Sequence, residues 1–266
     1  MESGRHHESD PLMRSGLIGW AAVIGAGLAA LAIASFAADR SMANAAVHPG
    51  LSITVTGNQW WWDIQYSASD TSKSIRTANE LHLPVGIPAH ITLQSNDVIH
   101  SFWVPSLAGK QDLIPGRETD VTITPKKIGI YRGQCAEFCG VQHARMALVV
   151  NVDSYADFIK WWDRQMQPAP PPSNPLALAG YNIVTTRQCA SCHAITGTPA
   201  NATVGPDLTH LAGRRSIAAG TLPMSKAGLY GWIADPQAVK PGAKMPPVGL
   251  EPNELHAVVA YLETLK

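Results

Sequence analysis

The segment Cys135-Ala-Glu137-Phe-Cys139-Gly-Val-Gln-His143-Ala-Arg-Met146 brings two thiols, a carboxylate, an imidazole and a thioether into twelve residues. Thiolate, imidazole and thioether are soft or borderline ligands, and the set favours copper over the oxygen-seeking ions magnesium and calcium. Zinc is the competing reading. Its structural sites come as short Cys-x-x-Cys knuckles with a distant second pair, and methionine is not normally among the ligands. A blue copper site needs one cysteine, two histidines and an axial methionine, so the second thiol is surplus there. Two thiolates on one loop can instead bridge two copper ions, each completed by an imidazole. His100, which closes the apolar run Val98-Ile99-His100 upstream of the loop, fits the second position.

A second pair of cysteines lies in Cys189-Ala-Ser-Cys192-His193, a Cys-x-x-Cys-His motif that reads as covalent c-type haem attachment. The two thiols would take the porphyrin vinyls and His193 the iron. A redox or zinc Cys-x-x-Cys with an incidental histidine is the alternative. The surrounding pattern favours haem: Ala177–Gln188 precedes the motif as a helix, Gly205-Pro206 follows as a turn, and Leu255, Val258, Val259, Leu262 and Leu265 recur at helical spacing over 254–265. For the sixth ligand two methionines are available, Met224 and Met245. Met245 is preferred, because the prolines of Lys240-Pro-Gly-Ala-Lys-Met245-Pro-Pro247 reduce the entropy lost in fixing a soft ligand.

All four cysteines are thus taken up by cofactor motifs, leaving none for a structural disulfide. Charged residues make up 15% of the 266 and the formal net charge is zero, which excludes a basic footprint for nucleic acid. His82, His90, His210 and His256 sit in no motif and read as surface or satisfied core residues. No Ser-His-Asp set, phosphate loop or paired acid–base carboxylates stand out.

The loop and its upstream histidine resemble subunit II of the haem-copper oxidases, whose binuclear CuA centre uses this Cys-x3-Cys-x3-His-x2-Met pattern. The resemblance implies that Cys135 and Cys139 bridge the coppers, with His100 and His143 as terminal ligands. It makes Met146 a weak ligand and Glu137 a donor through its backbone carbonyl. It also implies a magnesium ion at the interface with the catalytic subunit, held in part by the Glu137 side chain. Gln59-Trp60-Trp61-Trp62-Asp-Ile-Gln-Tyr66 belongs to the same likeness and makes Trp60 the electron-entry residue. Strand alternation would put Trp60 and Trp62 on one face and Trp61 on the other. Residues 176–266 are similar to class I cytochrome c. The combination resembles a caa-type cytochrome c oxidase subunit II, which implies oxidase subunit I and the other oxidase subunits as partners. An external donor, such as a c-type cytochrome or its reductase, would supply haem c, then CuA, then subunit I, where oxygen is reduced to water. The alternatives are the electron-entry subunit of a CuA-type nitric oxide reductase, or a free-standing membrane-anchored copper and haem carrier.

The elements that must position these groups follow in order. Residues 1–15 read as an N-terminal tail. Residues 16–38 lack charge and are long enough for a transmembrane helix. A cleaved signal peptide with Ala43-Asn-Ala45 as its small-residue site is the alternative. The oxidase family usually has two such helices, whereas this sequence shows one. Retained, it implies a single pass through the bacterial cytoplasmic membrane with both cofactor domains on the periplasmic side. Residues 48–152 read as a CuA cupredoxin domain, a mainly β Greek-key fold. Its expected strands are Leu51–Gly57, Gln59–Tyr66, His90–Ser95, Val98–Val104, Thr119–Pro125, Ile128–Gln134 and Met146–Val152. Eight acids and eight bases occur in this span, so no net field steers a soluble basic donor and fusion supplies the local concentration instead. Residues 153–175 form a helix and Pro-rich linker, with Tyr155, Phe158, Ile159 and Trp162 on one face and a semi-rigid stretch over 168–175. Residues 176–266 then form an all-α cytochrome c domain.

Overall fold

The structure, a computed structural model, describes residues 11–47, 50–68 and 73–266, with the backbone alone over 42–47. The first helix, α1, runs Pro11–Val47 and overshoots the expected 16–38 at both ends. No proline interrupts it after Pro11, and Arg14, Asp39 and Arg40 flank the apolar run without breaking the backbone ladder. Its stretch Pro11–Ser41 is long and apolar enough to cross a membrane, with a mean hydropathy of 2.2 over an 18-residue window. At 1.5 Å per residue it is roughly 46 Å long, against a hydrocarbon core of about 30 Å. The tail expected over 1–15 lies outside the described residues as far as residue 10.

The β domain is a two-sheet sandwich. Its strands are β1 (Leu51–Asn58), β2 (Trp61–Ser67), β3 (Ile75–Ala78), β4 (Glu80–Pro84), β5 (Ala89–Ser95), β6 (His100–Trp103), β7 (Gln111–Leu113), β8 (Thr119–Ile123), β9 (Gly129–Cys135) and β10 (Ala147–Asp153). One sheet has the order β3-β2-β1-β5-β8 and the other β4-β10-β9-β6-β7, so the chain changes sheet between β3 and β4, β4 and β5, β5 and β6, β7 and β8, and β8 and β9. The pairs β1/β5 and β4/β10 are parallel and the rest antiparallel. Period-two alternation sends Trp62, Ile64 and Tyr66 into the core and leaves Trp61, Asp63 and Gln65 outside it. Trp62 is fully buried, and truncating such a side chain to alanine costs about 3–5 kcal/mol.

Three strands were not expected: β3, β4 and β7. They are only three to five residues long and carry Arg76, Glu80, His82 and Asp112, which weaken the apolar alternation. Asn79 makes the break between β3 and β4 at φ 62, a conformation that asparagine tolerates. Its carboxamide oxygen accepts from Trp62 N at 2.9 Å. Helix α2 (Tyr155–Gln165) is capped by the Ser154 hydroxyl. Its inner face differs from the expected one: Tyr155 is 59% exposed and Ile159 37%, while Phe158 and Trp161 are buried. Trp161 rather than its neighbour takes the central place because it stacks on His82 at 4.3 Å and meets Tyr66 at 5.2 Å.

The helical domain begins at α3 (Pro175–Thr186), where Asn174 accepts from Ala177 N and Pro175 occupies the first turn. A 3-10 turn over Gln188–Ser191 carries Cys189. Helices α4 (Lys226–Ala234), α5 (Pro236–Val239) and α6 (Pro252–Leu262) follow. Ahead of α4 a short ribbon of β11 (Ser216–Ile217) and β12 (Leu222–Pro223) departs from the all-α expectation. Helix α4 was not expected, and Gly228 and Gly231 within it explain why the helical signal is weak. Val184, Ile195, Leu229, Val258, Tyr261 and Leu265 form the core.

The two domains interlock. Gln142 Nε2 donates to Pro241 O at 2.8 Å, Arg145 Nη1 to Val239 O at 2.8 Å and Ala147 N to Ala219 O at 3.0 Å. The Glu80 carboxylate accepts from Arg215 N and Ser216 N, and burial pushes its pKa up against those bonds. Lys240 is 2% exposed, and its ammonium donates to three carbonyls: Trp60 O and Arg145 O at 2.8 Å, and Ala218 O at 2.9 Å.

Candidate functional site

The loop between β9 and β10 folds back on itself because its ends are paired. Cys135 N donates to Met146 O at 2.9 Å, and His143 N to Gly140 O at 3.0 Å. This closure gathers the sulfurs and imidazoles. Cys135 Sγ is 3.7 Å from Cys139 Sγ and 3.9 Å from His100 Nδ1. Cys139 Sγ is 3.7 Å from His143 Nδ1 and 3.9 Å from Met146 Sδ. Glu137 O lies 3.2 Å from Cys135 Sγ. Two sulfurs each ~2.3 Å from one shared ion at a tetrahedral angle would stand about 3.8 Å apart, so the thiol pair fits a bridging role. Among the described residues His100, Cys135 and Cys139 are the one group of three or more His, Cys, Asp or Glu side chains whose ligand atoms lie close enough together to hold a metal, with His143 beside it on Cys139.

His100 opens β6 and stands directly over Gly57, where a Cβ would lie 2.7 Å from the imidazole; the glycine makes room for the ring. His100 Nε2 donates to Asp97 Oδ1 at 2.9 Å, which leaves the Nδ1 lone pair facing Cys135. An imidazole oriented through its other nitrogen by a carboxylate is the usual support of a metal ligand. Asp97 also accepts from Gln59 N, Val98 N and the Lys244 ammonium, each at 2.8 Å. Burial alone would raise its pKa, but the Lys244, His100 and backbone donors outweigh it and hold the carboxyl at about 2. The two thiols cannot both ionise at this separation. The Cys139 thiol, followed by His100 and backbone N–H groups, lowers Cys135, and that charge together with burial pushes Cys139 up.

Trp60 and Trp62 are both buried in the sandwich core while Trp61 between them is only half-buried, as alternation requires. Strand β2 starts at Trp61, and Trp60 lies in the preceding turn. Its indole Nε1 donates to Cys139 O at 2.9 Å, beside Gln59 Nε2 on the same carbonyl at 2.8 Å. The Glu137 side chain is half-exposed, its Oε1 accepting from Phe138 N at 3.2 Å.

A cavity of 660 Å³ lies in the helical domain against the β domain, within the range that cofactors occupy. Cys189, Cys192, His193 and Met245 line it, whereas Met224 does not and packs on the helical core. His193 is half-buried, and Nδ1 donates to Pro206 O at 2.7 Å, leaving Nε2 free. Burial first, opposed by the Pro206 carbonyl, pushes this imidazole's pKa down and keeps it neutral. Gly205 passes so close that a Cβ would sit 2.8 Å from the ring. Gln237 Nε2 fastens the Met245 loop by donating to Ala243 O at 2.8 Å and Met245 O at 3.0 Å. An apolar cavity with two free thiols, a neutral imidazole and a thioether fits a covalently bound haem.

Three of the four unassigned histidines read as expected, and His90 differs in that its Nδ1 is buried without a hydrogen-bond partner. His82 pairs with Asp153 and Asn151, and His210 contacts Gln167 O and Lys266 O. His90 approaches Asp120 at 3.9 Å, and His256 packs on Tyr230. Sequence reasoning missed Asp97, Lys240 and Lys244. Asp97 carried a signal in its place three residues before His100.

The fold and ligand set define a β-sandwich domain of copper type joined to a c-type cytochrome domain. The family described as the periplasmic domain of cytochrome c oxidase subunit II matches residues 68–153, and the cytochrome c family matches residues 177–266. The chain belongs to the cytochrome c oxidase subunit II family and carries a cytochrome c domain besides. It is 34% identical to cytochrome c oxidase subunit 2 of Alkalihalophilus pseudofirmus, over 80% of this chain and 61% of that one. It is 31% identical to the Bacillus subtilis protein of the same name, over 81% of this chain and 62% of that one. The chain thus spans about three-fifths of the length of these curated relatives. Among solved structures, the periplasmic domain of subunit II of cytochrome oxidase from Bradyrhizobium japonicum is 30% identical, with TM-score 0.41, covering 44% of this chain and 93% of that one.

Proposed function

We propose that this chain is the electron-entry subunit of a haem-copper terminal oxidase, taking electrons from an external donor and delivering them toward subunit I, where oxygen is reduced to water. The observation that carries the reading is the convergence of His100, Cys135, Cys139, His143 and Met146, with neighbouring ligand atoms 3.7–3.9 Å apart. These residues and the Glu137 carbonyl would hold a binuclear CuA centre, and Cys189, Cys192, His193 and Met245 would hold haem c. Bound copper and haem supply one-electron couples, and the protein has to fix their positions. Asp97 orients His100 and receives Lys244, the residue next to Met245, so one carboxylate ties the copper ligand set to the haem loop. Trp60 stands between the Cys139 carbonyl and the Lys240 ammonium, which supports its role at electron entry. The half-exposed Glu137 carboxylate suits a magnesium site completed by another chain.

The length and apolar character of α1, together with the match to a periplasmic domain, support a single-pass anchor with both cofactor domains outside the cytoplasmic membrane. The test is to purify the detergent-solubilised complex through this chain and record gas consumption with a reduced c-type cytochrome. Cyanide-sensitive oxygen uptake is expected. Nitric oxide uptake without oxygen uptake would move the chain to a reductase, and purification without a haem-bearing membrane partner would make it a free-standing carrier.

A further inference from the structure

The wall of the haem cavity is not supplied by the cytochrome domain alone. Trp61, Asp63 and Arg76 of the sandwich line it too. Three buried donors on its lining have no hydrogen-bond partner: Arg76 Nη1, Arg214 Nε and Ser216 Oγ. An orphaned buried donor costs about 1–3 kcal/mol, more when charged, so three at one cavity call for an acceptor there.

Arg76 is held in a fixed pose. Nε donates to Asp63 Oδ1 at 2.9 Å across β2 and β3, and Nη2 donates to Thr203 O of the cytochrome domain at 3.0 Å. The guanidinium therefore spans both domains with Nη1 left over. The charged groups around it are Asp63 on β2, Glu80 on β4, and Asp207 and Arg214 from the loop after the haem motif. Asp63 is consumed by Arg76, and Glu80 by the backbone of Arg215 and Ser216. Arg214 uses Nη2 on Asp207 O and keeps Nε unpaired. The free donors thus outnumber the free acceptors at this end of the cavity. The one acid-bearing group that a c-type haem brings is its pair of propionates, and a guanidinium fork is suited to carboxylate.

We propose that the copper domain completes the haem site, with Arg76 donating from Nη1 to a haem propionate. Arg76 becomes a cofactor-binding residue supplied by the neighbouring domain, and the inference rests on the haem reading above. It makes the electronic environment of the haem depend on the copper domain being docked.

The test uses the intact purified complex carrying Arg76→Leu or Arg76→Lys, and reads the haem c midpoint potential and the propionate bending band in resonance Raman. A cation near the iron favours the reduced haem, so Arg76→Leu is expected to lower the potential and shift the band, with the copper absorption unchanged. Arg76→Lys keeps the charge but not the fork. It should restore the potential and leave the band displaced. An unmoved band in both variants overturns the contact, whether or not the potential responds through space. Absence of covalently attached haem in the unsubstituted chain would overturn the haem reading itself, a result distinguishable by haem staining after denaturing electrophoresis.

Discussion

Replacing Lys240 by methionine removes the ammonium that joins the domains while keeping most of its volume. Three buried carbonyls, Trp60 O, Arg145 O and Ala218 O, lose their donor. Orphaning each costs about 1–3 kcal/mol. Against that, the ammonium itself is poorly placed: burial, with Arg145 adding to it, pushes its pKa down to about 7, so its removal relieves desolvation of several kcal/mol. The three carbonyls together cost about 3–9 kcal/mol, and a net loss to docking of about 2 kcal/mol after the relieved desolvation corresponds to roughly 30-fold in the equilibrium between docked and undocked domains. The remaining bonds from Gln142, Arg145 and Lys244 keep the chain folded. Electron transfer from haem to copper, followed by stopped-flow absorption after rapid haem reduction, should fall at least tenfold in Lys240→Met. It should also become dependent on ionic strength, since an undocked domain must find its partner through screened charges. Both absorption spectra should be unaltered. The same rate as the unsubstituted chain at every salt concentration, with both cofactors in place, would refute the reasoning.

Met245→Ala should abolish the sulfur-to-iron charge-transfer band and lower the haem potential, whereas Met224→Ala should leave both unchanged; equal effects would remove Met245 from the ligand set. His143→Ala should disrupt the copper spectrum and spare the c-haem spectrum, and loss of both together would indicate misfolding instead. Glu80→Gln tests the buried carboxylate under Arg215. Burial raises the folded pKa of Glu80 above its ordinary 4.5, so the stability it contributes is fully present below pH 4.5 and is lost as pH rises through the folded value. The variant keeps an acceptor without the charge. Its melting temperature relative to the unsubstituted chain should therefore rise between pH 4.5 and 7, and a pH-independent difference would sink the argument.

The candidate copper and haem sites were legible because their chemistry is local: Cys135 to Met146 and Cys189 to His193 are short motifs whose residue types have few other uses together. His100 needed the further argument that bridging thiolates require two imidazoles. Strand existence was legible where β-branched runs alternate, as in β1 and β5, and was not in β3, β4 and β7, where partners rather than propensity hold three to five residues extended. The start of β2 was put at Gln59, two residues before the strand begins, although the alternation of Trp60, Trp61 and Trp62 was legible. Lys240 and Arg76 were out of reach for a different reason. Their partners lie 180 and 127 residues away in sequence, and nothing about a lone lysine or arginine tells which carbonyl it will meet.

The seating of Lys240 bears on the order in which the chain matures. The ligand loop is held from outside at Gln142 and Arg145, and its Cys139 carbonyl is held by Trp60, whose own carbonyl takes the lysine. Copper ions would have to reach two thiols that are buried beneath this clasp. A loop that must open to receive ions opens more easily before its outer clasp is set than after. Metal delivery is thus favoured while the cytochrome domain is still free, and docking afterwards shuts the loop over its load. The same lysine that seats one domain on the other would then be the last contact to form, after the ions are in place.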